Sequence, residues 1–195
     1  FDNEFYLTYM PLRRLQVVHI SEGEKQPYLQ NVFGSKELFD YSYFSVKAIG
    51  YDAMEQADLI ILDGLTAADQ ALVQFAQTHP ETVWMLIPPM PSGKPEPLRA
   101  MSELSGLEVK PIGTQGKPVP EALAPPAAGD PFFKNVFEEN AGSSTPLRMP
   151  SAFPAVTWGT DRSAILRFRD GAPFLSKIGN RYLFACPLNL SLIHI

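Results

Sequence analysis

The chain has 195 residues and a formal net charge of -5, with 45% hydrophobic and 19% charged residues. This length and composition predict one globular domain with its own core and exclude a disordered chain. The mildly acidic balance argues against a nucleic-acid partner and against direct binding to an anionic membrane surface. The single cysteine, Cys186, excludes an intramolecular disulfide and a zinc site built from cysteines.

Short apolar runs alternate with helical patterns through the first half of the chain. Residues 1–14 predict an N-terminal strand or the tail of a preceding domain. Strands are then predicted over 15–20, 44–50, 57–64, 82–88 and 107–113, and helices over 24–35, 66–79 and 95–106. Thr66, followed three residues later by Asp69, predicts a capping-box start for one helix. The alternation predicts an α/β fold: a flavodoxin-like parallel sheet with helices on both faces and its first strand near the middle.

The pattern changes after residue 113. Proline-rich loops are predicted over 114–130 and 141–155, and a short aromatic turn or helix over 131–138. Residues 164–188 predict antiparallel strands, because Asp170-Gly171 lies between apolar runs and is a strong hairpin signal. Such a C-terminal antiparallel extension commonly sits beside a parallel sheet. We therefore expect one α/β domain over 15–189 and a non-native or truncated end at 190–195.

Polar residues and glycines follow two of the predicted central strands. In doubly wound sheets, ligands bind beyond the carboxyl ends of the strands, where the strand order reverses. The predicted order puts this point between the first and third strands. The candidate ligand-binding residues in these loops are Ser21, Glu22, Gly23, Asp63 and Gly64. The alternative is structural: Asp63-Gly64 makes a tight turn, and Thr66 caps the helix that follows.

Motifs for nucleotide binding and for an activated nucleophile do not occur. The stretch SEGEKQ after the first strand lacks the glycines of a dinucleotide-binding loop, and the chain contains neither a P-loop nor G-x-S-x-G. A nucleophilic serine needs a base, and the sequence suggests no base for Ser92. We expect His19 to be a satisfied core residue, His79 a helix-end residue and Cys186 a small buried hydrophobe. The sequence thus predicts no catalytic residues, no metal site and no cofactor.

Aromatic residues cluster in the proline-rich C-terminal loops. Phe132, Phe133, Phe137 and Trp158 are the candidate residues of an interaction patch for a peptide, a glycan or a partner protein. The alternative is a satellite core, in which the same side chains hold the loops against the domain. The exposure of these rings distinguishes the two interpretations.

Several stretches of the chain resemble a known family: FDNEFYLTY, YLQNVFGSKELFDYSYFSV, ADLIILDGLT, DPFFKNVFE and ILRFRDGAPFLSKIGNRYLFACPL. Over residues 1–189 the chain is similar to the extracytoplasmic domain of the aerotolerance-type membrane proteins of Bacteroidetes. This resemblance implies a class I glutamine amidotransferase-like fold and a pair of transmembrane helices upstream of Phe1, the only expected contact with the membrane. It also implies a place at the periplasmic face of the inner membrane, with other envelope proteins or domains as partners.

The resemblance also bears on catalysis. In true amidotransferases a cysteine elbow follows the strand that corresponds to residues 83–88. Here that position holds Pro88, Pro89, Met90 and Pro91. Proline fixes φ and lacks the N–H that an oxyanion hole of backbone donors needs. The resemblance therefore implies an amidotransferase-like scaffold that lacks the catalytic groups of an amidotransferase.

Two functions remain open on these grounds. The first is a non-catalytic binding or protein-interaction domain of a membrane-anchored cell-envelope protein. The alternative is a hydrolase or sugar-related enzyme that uses the carboxylates of Glu22 and Asp63, since paired carboxylates can do acid–base work when their environments separate their pKa values.

Overall fold

The computed structural model of the protein describes residues 13–23, 25, 27–90, 98–112, 119–126, 130–133, 149–158 and 163–188, with the backbone of 193–194. Strands and helices alternate in its first half: β1 (Leu15–Ser21), α1 (Pro27–Val32), β2 (Phe39–Ser45), α2 (Tyr51–Glu55), β3 (Leu59–Asp63), α3 (Gln70–Thr78), β4 (Val83–Ile87) and α4 (Arg99–Ser105). The second half contains a 3₁₀ turn at Pro131–Phe133 and short strands: β5 (Lys110–Pro111), β6 (Glu121–Ala122), β7 (Ser151–Ala152), β8 (Val156–Thr157), β9 (Ala164–Arg167), β10 (Pro173–Ile178), β11 (Arg181–Phe184) and β12 (Ile193–His194).

Within the described residues, a seven-stranded sheet forms the centre of the fold, in the order β2-β1-β3-β4-β11-β10-β9. The strands from β2 to β11 run parallel to one another. β10 is antiparallel to both of its neighbours, β11 and β9. The predicted α/β class, the position of β1 beside β2 and β3, and the C-terminal antiparallel extension are confirmed.

The side chains of β1 alternate between two helix layers. Val17 packs with Ile61 and with Leu29 of α1 on one face of the sheet. Val18 and Ile20 point to the other face, into a larger core that includes residues of α2, α3 and α4. Because neighbouring residues of a strand face opposite sides, a continuous apolar run such as that of β1 needs cover on both sides. The prediction of helices on both faces is confirmed.

The predicted position of the second strand is wrong. The prediction covers 44–50, whereas β2 spans Phe39–Ser45 and the chain then turns into α2, a helix that the sequence analysis did not predict. Phe39 and Tyr41 pack in the α1 layer, while Asp40 and Ser42, which alternate with them, are exposed. This period of two is the signal of a half-covered strand. It was obscured because Phe44, at its end, continues an apolar run into the following turn.

The predicted fifth strand, 107–113, is confirmed only over two residues, and its expected place in the main sheet is wrong. In this stretch the two-residue β5 pairs antiparallel with β8, outside the main sheet. The place beside β4 belongs to β11, which runs parallel to β4 and carries the fully buried Leu183. Proline cannot donate a ladder hydrogen bond, and Pro111 is exposed. A central sheet position therefore suits β11 better.

The start of α3 differs from the prediction, whereas the end of α4 agrees with it. α3 begins at Gln70, because Asp69 is its N-cap and accepts a 2.7 Å hydrogen bond from the Leu72 N–H. The capping-box start at Thr66 is therefore wrong. α4 ends at Gly106, which takes the left-handed conformation with φ of 73°.

The two ends of the chain are described only in part. Residues 1–12 lie outside the described residues, so the N-terminal strand stays a prediction. At the C-terminus, β12 pairs antiparallel with β7, which also pairs with β6 in a small separate sheet. Within the described ranges, the helices are too short or too polar to cross a membrane.

Candidate functional site

A crevice of about 290 Å³ opens at the carboxyl ends of β1, β3 and β4. Doubly wound folds bind their ligands at this end of the sheet, beyond the carboxyl ends of the strands. The five candidate ligand-binding residues all line it, together with Tyr28, Pro88, Pro89, Met90 and Pro187. The structure therefore brings Ser21, Glu22, Gly23, Asp63 and Gly64 into one concave surface, while their role in binding stays a prediction.

Glu22 connects the loop after β1 to the loop after β3. Its carboxylate accepts a 2.8 Å hydrogen bond from the Thr66 N–H and contacts the Thr66 hydroxyl at 3.0 and 3.2 Å. The Glu22 N–H also donates to the backbone carbonyl of Asp63, at 3.4 Å. Thr66, which was predicted to cap α3, is instead the partner that orients Glu22. Charge-assisted bonds of this kind are stronger than neutral ones, so they hold the mouth of the crevice together.

Asp63 ends β3, and its carboxylate lies on the α1 side of the sheet. The residue is only 7% exposed. Its Oδ2 accepts a 3.4 Å hydrogen bond from the Tyr28 hydroxyl and lies 3.3 Å from Nε2 of His19. Burial, followed by the charge of Asp63, raises the pKa of Tyr28 well above its usual range. The Tyr28 hydroxyl therefore keeps its proton at neutral pH and acts as a donor to the carboxylate.

His19 lies behind Asp63 and is fully buried in β1. Its Nδ1 is 2.6 Å from the hydroxyl of Tyr41. Burial, with a smaller effect from the charge of Asp63, raises the pKa of Tyr41 to about 12. Tyr41 can therefore donate its proton to Nδ1, and in that arrangement Nε2 carries the ring proton and faces Asp63.

The burial predicted for His19 is confirmed, but the residue is not a satisfied one. Its Nε2 has no hydrogen-bond partner among the described residues, because the contact with Asp63 does not have hydrogen-bond geometry. A buried polar atom without a partner is unusual in a core. His19 thus belongs to the polar group beneath the crevice.

His19, Tyr28 and Tyr41 were not among the predicted site residues. A signal for His19 was available, because residues two apart in a strand share a face. His19 therefore points to the same side as Ser21. Tyr41 could not be placed, since its strand was predicted several residues too late along the chain.

The residues after β4 form one wall of the crevice. Gly64 has φ of 72°, and its N–H donates to the Ile87 carbonyl at 3.0 Å. A Cβ on Gly64 would lie 3.7 Å from Cα of Pro89, so the loop after β3 turns back against this wall. Pro88 is buried and Pro89 half-buried. Because proline fixes φ, the wall is rigid as well as apolar. Ser92 lies outside the described residues.

Cys186 and His79 lie outside the crevice lining. Cys186, just beyond β11, is fully buried, and burial raises the pKa of its thiol to about 12. Such a thiol stays protonated at neutral pH, and its placement agrees with a small buried hydrophobe. His79 is the C-cap of α3 and stacks on Phe75, with ring centroids 4.0 Å apart. This is the helix-end position that the sequence predicts.

The candidate patch residues occupy different environments. Phe132 and Phe133 form an edge-to-face pair with centroids 4.9 Å apart, and Phe132 is 42% exposed. Trp158 is half-buried, donates its indole N–H to the Ser176 hydroxyl at 3.1 Å and packs against both larger cores. Phe137 lies outside the described residues. Trp158 therefore packs partly against the two cores, and an interaction role for Phe132, Phe133 and Trp158 stays a prediction.

Comparisons with known proteins concern the fold. Neither the protein families nor the curated proteins contain a match to this sequence. Among solved structures, a glutamine amidotransferase from Thermotoga maritima is similar with a TM-score of 0.59 and 13% sequence identity, over 89% of this chain and 75% of that one. A β-galactosidase from the psychrophilic Marinomonas ef1 is similar with a TM-score of 0.50 and 9% identity, over 90% of this chain.

The present chain spans 27% of the length of that β-galactosidase. At these identities the similarity concerns the fold alone. The chain has a class I glutamine amidotransferase-like α/β fold.

Proposed function

We propose that the chain is a non-catalytic binding or protein-interaction domain of a membrane-anchored cell-envelope protein. Its binding site is the crevice that contains Glu22 and Asp63. The observation that carries this proposal is the end of β4, where Pro88 and Pro89 build a rigid wall of the crevice. In true amidotransferases, the end of the strand that corresponds to β4 carries the cysteine elbow. Two prolines offer neither a side-chain nucleophile nor the backbone N–H groups of an oxyanion hole.

The other nucleophiles near the crevice support the same proposal. The thiol of Cys186 is fully buried and has a raised pKa, so it is neither accessible nor ionised at neutral pH. The hydroxyl of Ser21 belongs to a residue that is 3% exposed, and it accepts a 3.2 Å hydrogen bond from the Gly23 N–H. Its position suits it to shaping the loop after β1.

The test for catalysis is a set of turnover assays. The 195-residue chain is incubated with glutamine and with chromogenic esters, beside the variants Asp63→Asn and Cys186→Ala. We expect the release of ammonia and of chromophore to equal that of the heat-denatured chain. Turnover that is lost in either variant would contradict a non-catalytic function.

A hydrolase or sugar-related enzyme is the second candidate. The observation in its favour is that Glu22 and Asp63 line the same crevice, as a pair of catalytic carboxylates must. Against it, both carboxylate oxygens of Glu22 contact Thr66, and Asp63 is nearly buried. Hydrolysis of chromogenic glycosides that is lost in both Glu22→Gln and Asp63→Asn, but not in Glu81→Gln, would establish this candidate.

The envelope location follows from the resemblance and has its own test. The full-length protein is followed by immunoblotting of cell fractions. We expect it in the inner-membrane fraction, and we expect protease to digest this domain in spheroplasts, where the periplasmic face is accessible. Recovery of the full-length protein in the cytosolic fraction would contradict the proposal.

A further inference from the structure

We propose that the crevice binds a small organic cation, a primary amine or guanidinium on an apolar body, with Asp63 as its charged partner. This inference rests on the proposed binding function of the same crevice and adds the chemical class of the ligand. It is carried by three observations: the charge of the lining, the incomplete set of partners around Asp63 and the apolar wall.

The charge of the crevice lining is negative. The described residues that line it include two carboxylates, Glu22 and Asp63, and no lysine, arginine or histidine. Lys25, close in sequence, lies over the rings of Tyr41 and Tyr43, at 5.4 and 5.6 Å from their centroids. Its ammonium group is therefore directed to these aromatic faces. A cationic ligand complements this lining, whereas an anionic one is repelled.

Asp63 is a buried carboxylate whose described partners leave it incompletely paired. Both of its contacts are at Oδ2, at 3.4 Å from the Tyr28 hydroxyl and 3.3 Å from Nε2 of His19. Neither of these contacts is at Oδ1. Buried carboxylates are normally satisfied by several donors. A ligand ammonium or guanidinium in the crevice supplies N–H donors to this oxygen.

Tyr28 keeps Asp63 in position for such a ligand, and His19 lies beside the carboxylate. Both side chains reach Oδ2, His19 from within the sheet and Tyr28 from α1. The short contact between His19 and the Tyr41 hydroxyl, 2.6 Å, fixes the imidazole in turn. The Tyr28 hydrogen bond thus orients the carboxylate, with the His19 ring beside it, and we infer that the ligand approaches from the crevice.

The rest of the lining selects the body of the ligand. The lining also contains four residues that present apolar surface, Pro88, Pro89, Met90 and Pro187. The volume of about 290 Å³ lies at the lower end of the range for small-molecule sites, so it suits a ligand of about one ring. Among the described residues, no three His, Cys, Asp or Glu side chains are grouped to hold a metal ion. The two carboxylates therefore suit an organic cation better than a metal.

The experiment compares three probes that share a ring and differ in charge: benzylamine, benzyl alcohol and benzoate. Binding to the 195-residue chain is measured by titration and followed by amide NMR shifts. We expect benzylamine to bind at least about tenfold more tightly than benzyl alcohol, because a charged hydrogen-bonded pair adds to the shared apolar contact. Benzoate should not bind at up to about 10 mM, and the shifts should map to the loops after β1 and β3.

The matched variants are Asp63→Asn and Glu81→Gln. Glu81 is exposed and precedes β4. It therefore lies at the amino-terminal end of this strand, whereas the crevice lies at the carboxyl end. We expect Asp63→Asn to lose the preference for benzylamine and Glu81→Gln to keep it. If Asp63→Asn does not fold, Glu22→Gln takes its place, with a smaller loss of benzylamine affinity. The benzylamine affinity should also fall as salt is raised, whereas that of benzyl alcohol should not.

The outcomes separate this inference from the proposed function. Equal binding of benzylamine and benzyl alcohol overturns the cationic ligand but leaves a binding domain. Tight binding of benzoate, of Ca²⁺ or of Mg²⁺ in place of benzylamine, or no binding of any probe, overturns the inference as well. Turnover that depends on Asp63, in contrast, overturns the non-catalytic function whichever probe binds.

Discussion

Three weakly acidic groups near the crevice hold their protons because they are buried. They are the hydroxyls of Tyr28 and Tyr41 and the thiol of Cys186. Burial is the largest cause of the raised pKa in each case. The unfolded chain exposes all three groups and releases their protons at lower pH. At alkaline pH the folded state therefore binds more protons than the unfolded state.

The free energy of unfolding should consequently fall at alkaline pH. The contribution of these groups is fully present below about pH 9, the ordinary pKa of the thiol, and is lost as pH rises toward about 12, where Cys186 and Tyr41 ionise in the folded state. Urea denaturation at several pH values measures this, and Tyr41→Phe should show a shallower decline. A free energy that stays constant over this interval would show that the groups are not buried as described.

The thiol of Cys186 should be inert in the folded protein. It is fully buried and protonated at neutral pH, so a chromogenic disulfide should modify it at least about tenfold more slowly than it modifies the urea-unfolded chain. The absorbance of the released thiolate gives both rates. Equal rates before and after unfolding would refute the placement of this residue.

At the scale of elements, the start of α3 depends on one side chain. Asp69 accepts a hydrogen bond from the Leu72 N–H at the first turn and also from the Tyr51 hydroxyl, at 3.4 Å. The first N–H groups of a helix have no partner within it. Asp69 therefore stabilises the first turn of α3 and also links this helix to α2.

Asp69→Ala should lower the free energy of unfolding by about 1 kcal/mol, because it removes the N-cap acceptor. Asp69→Asn is the matched control, since its amide oxygen can accept the same bond and should retain most of the stability. Chemical denaturation of the three proteins measures the difference. An alanine variant as stable as the parent would argue against Asp69 as the cap.

The elements that could be predicted are those whose residues are covered on both faces. β1, β3 and β4 have apolar runs and buried side chains on alternate faces, and their positions agree with the sequence. β2 was misplaced because it lies at the sheet edge, where polar residues alternate with rings. The sequence could not show that β11, rather than residues 107–113, lies beside β4, because pairing between distant segments leaves no local period.

The crevice could be predicted from the sequence only in part. The loops after β1 and β3 meet at one edge of any parallel sheet with these neighbours, so Glu22 and Asp63 could be brought together from topology. The group beneath them depends on side-chain direction and on the register of β2. Pro187 reaches the crevice only because β11 lies beside β4.

At the scale of the whole molecule, the C-terminal strands complete the central sheet. β11 pairs with β4 on one side and with β10 on the other. Leu183 of β11 is fully buried within the same core as residues of β1, β3 and β4. The last strands are therefore an integral part of the fold.

A chain that ends at residue 163 should not unfold cooperatively, because the edge of β4 and the core around Leu183 lose their cover. A chain that ends at residue 188 should retain the transition, since it keeps β9, β10 and β11. Circular dichroism during heating compares the two. As a point test, Leu183→Ala should cost about 2–5 kcal/mol, and a smaller loss together with a stable shorter chain would contradict an integral role.

The insertion of β11 next to β4 also bears on how the protein is made. N-terminal segments emerge from the ribosome first, so β4 is released roughly a hundred residues before β11, its partner on one side. Throughout that interval β4 can pair with β3, but its other side lacks a partner, and an unpaired side of this kind can associate with other nascent chains. Chaperones that shield such surfaces should matter more to the yield of this protein than to one whose sheet is built in sequence order.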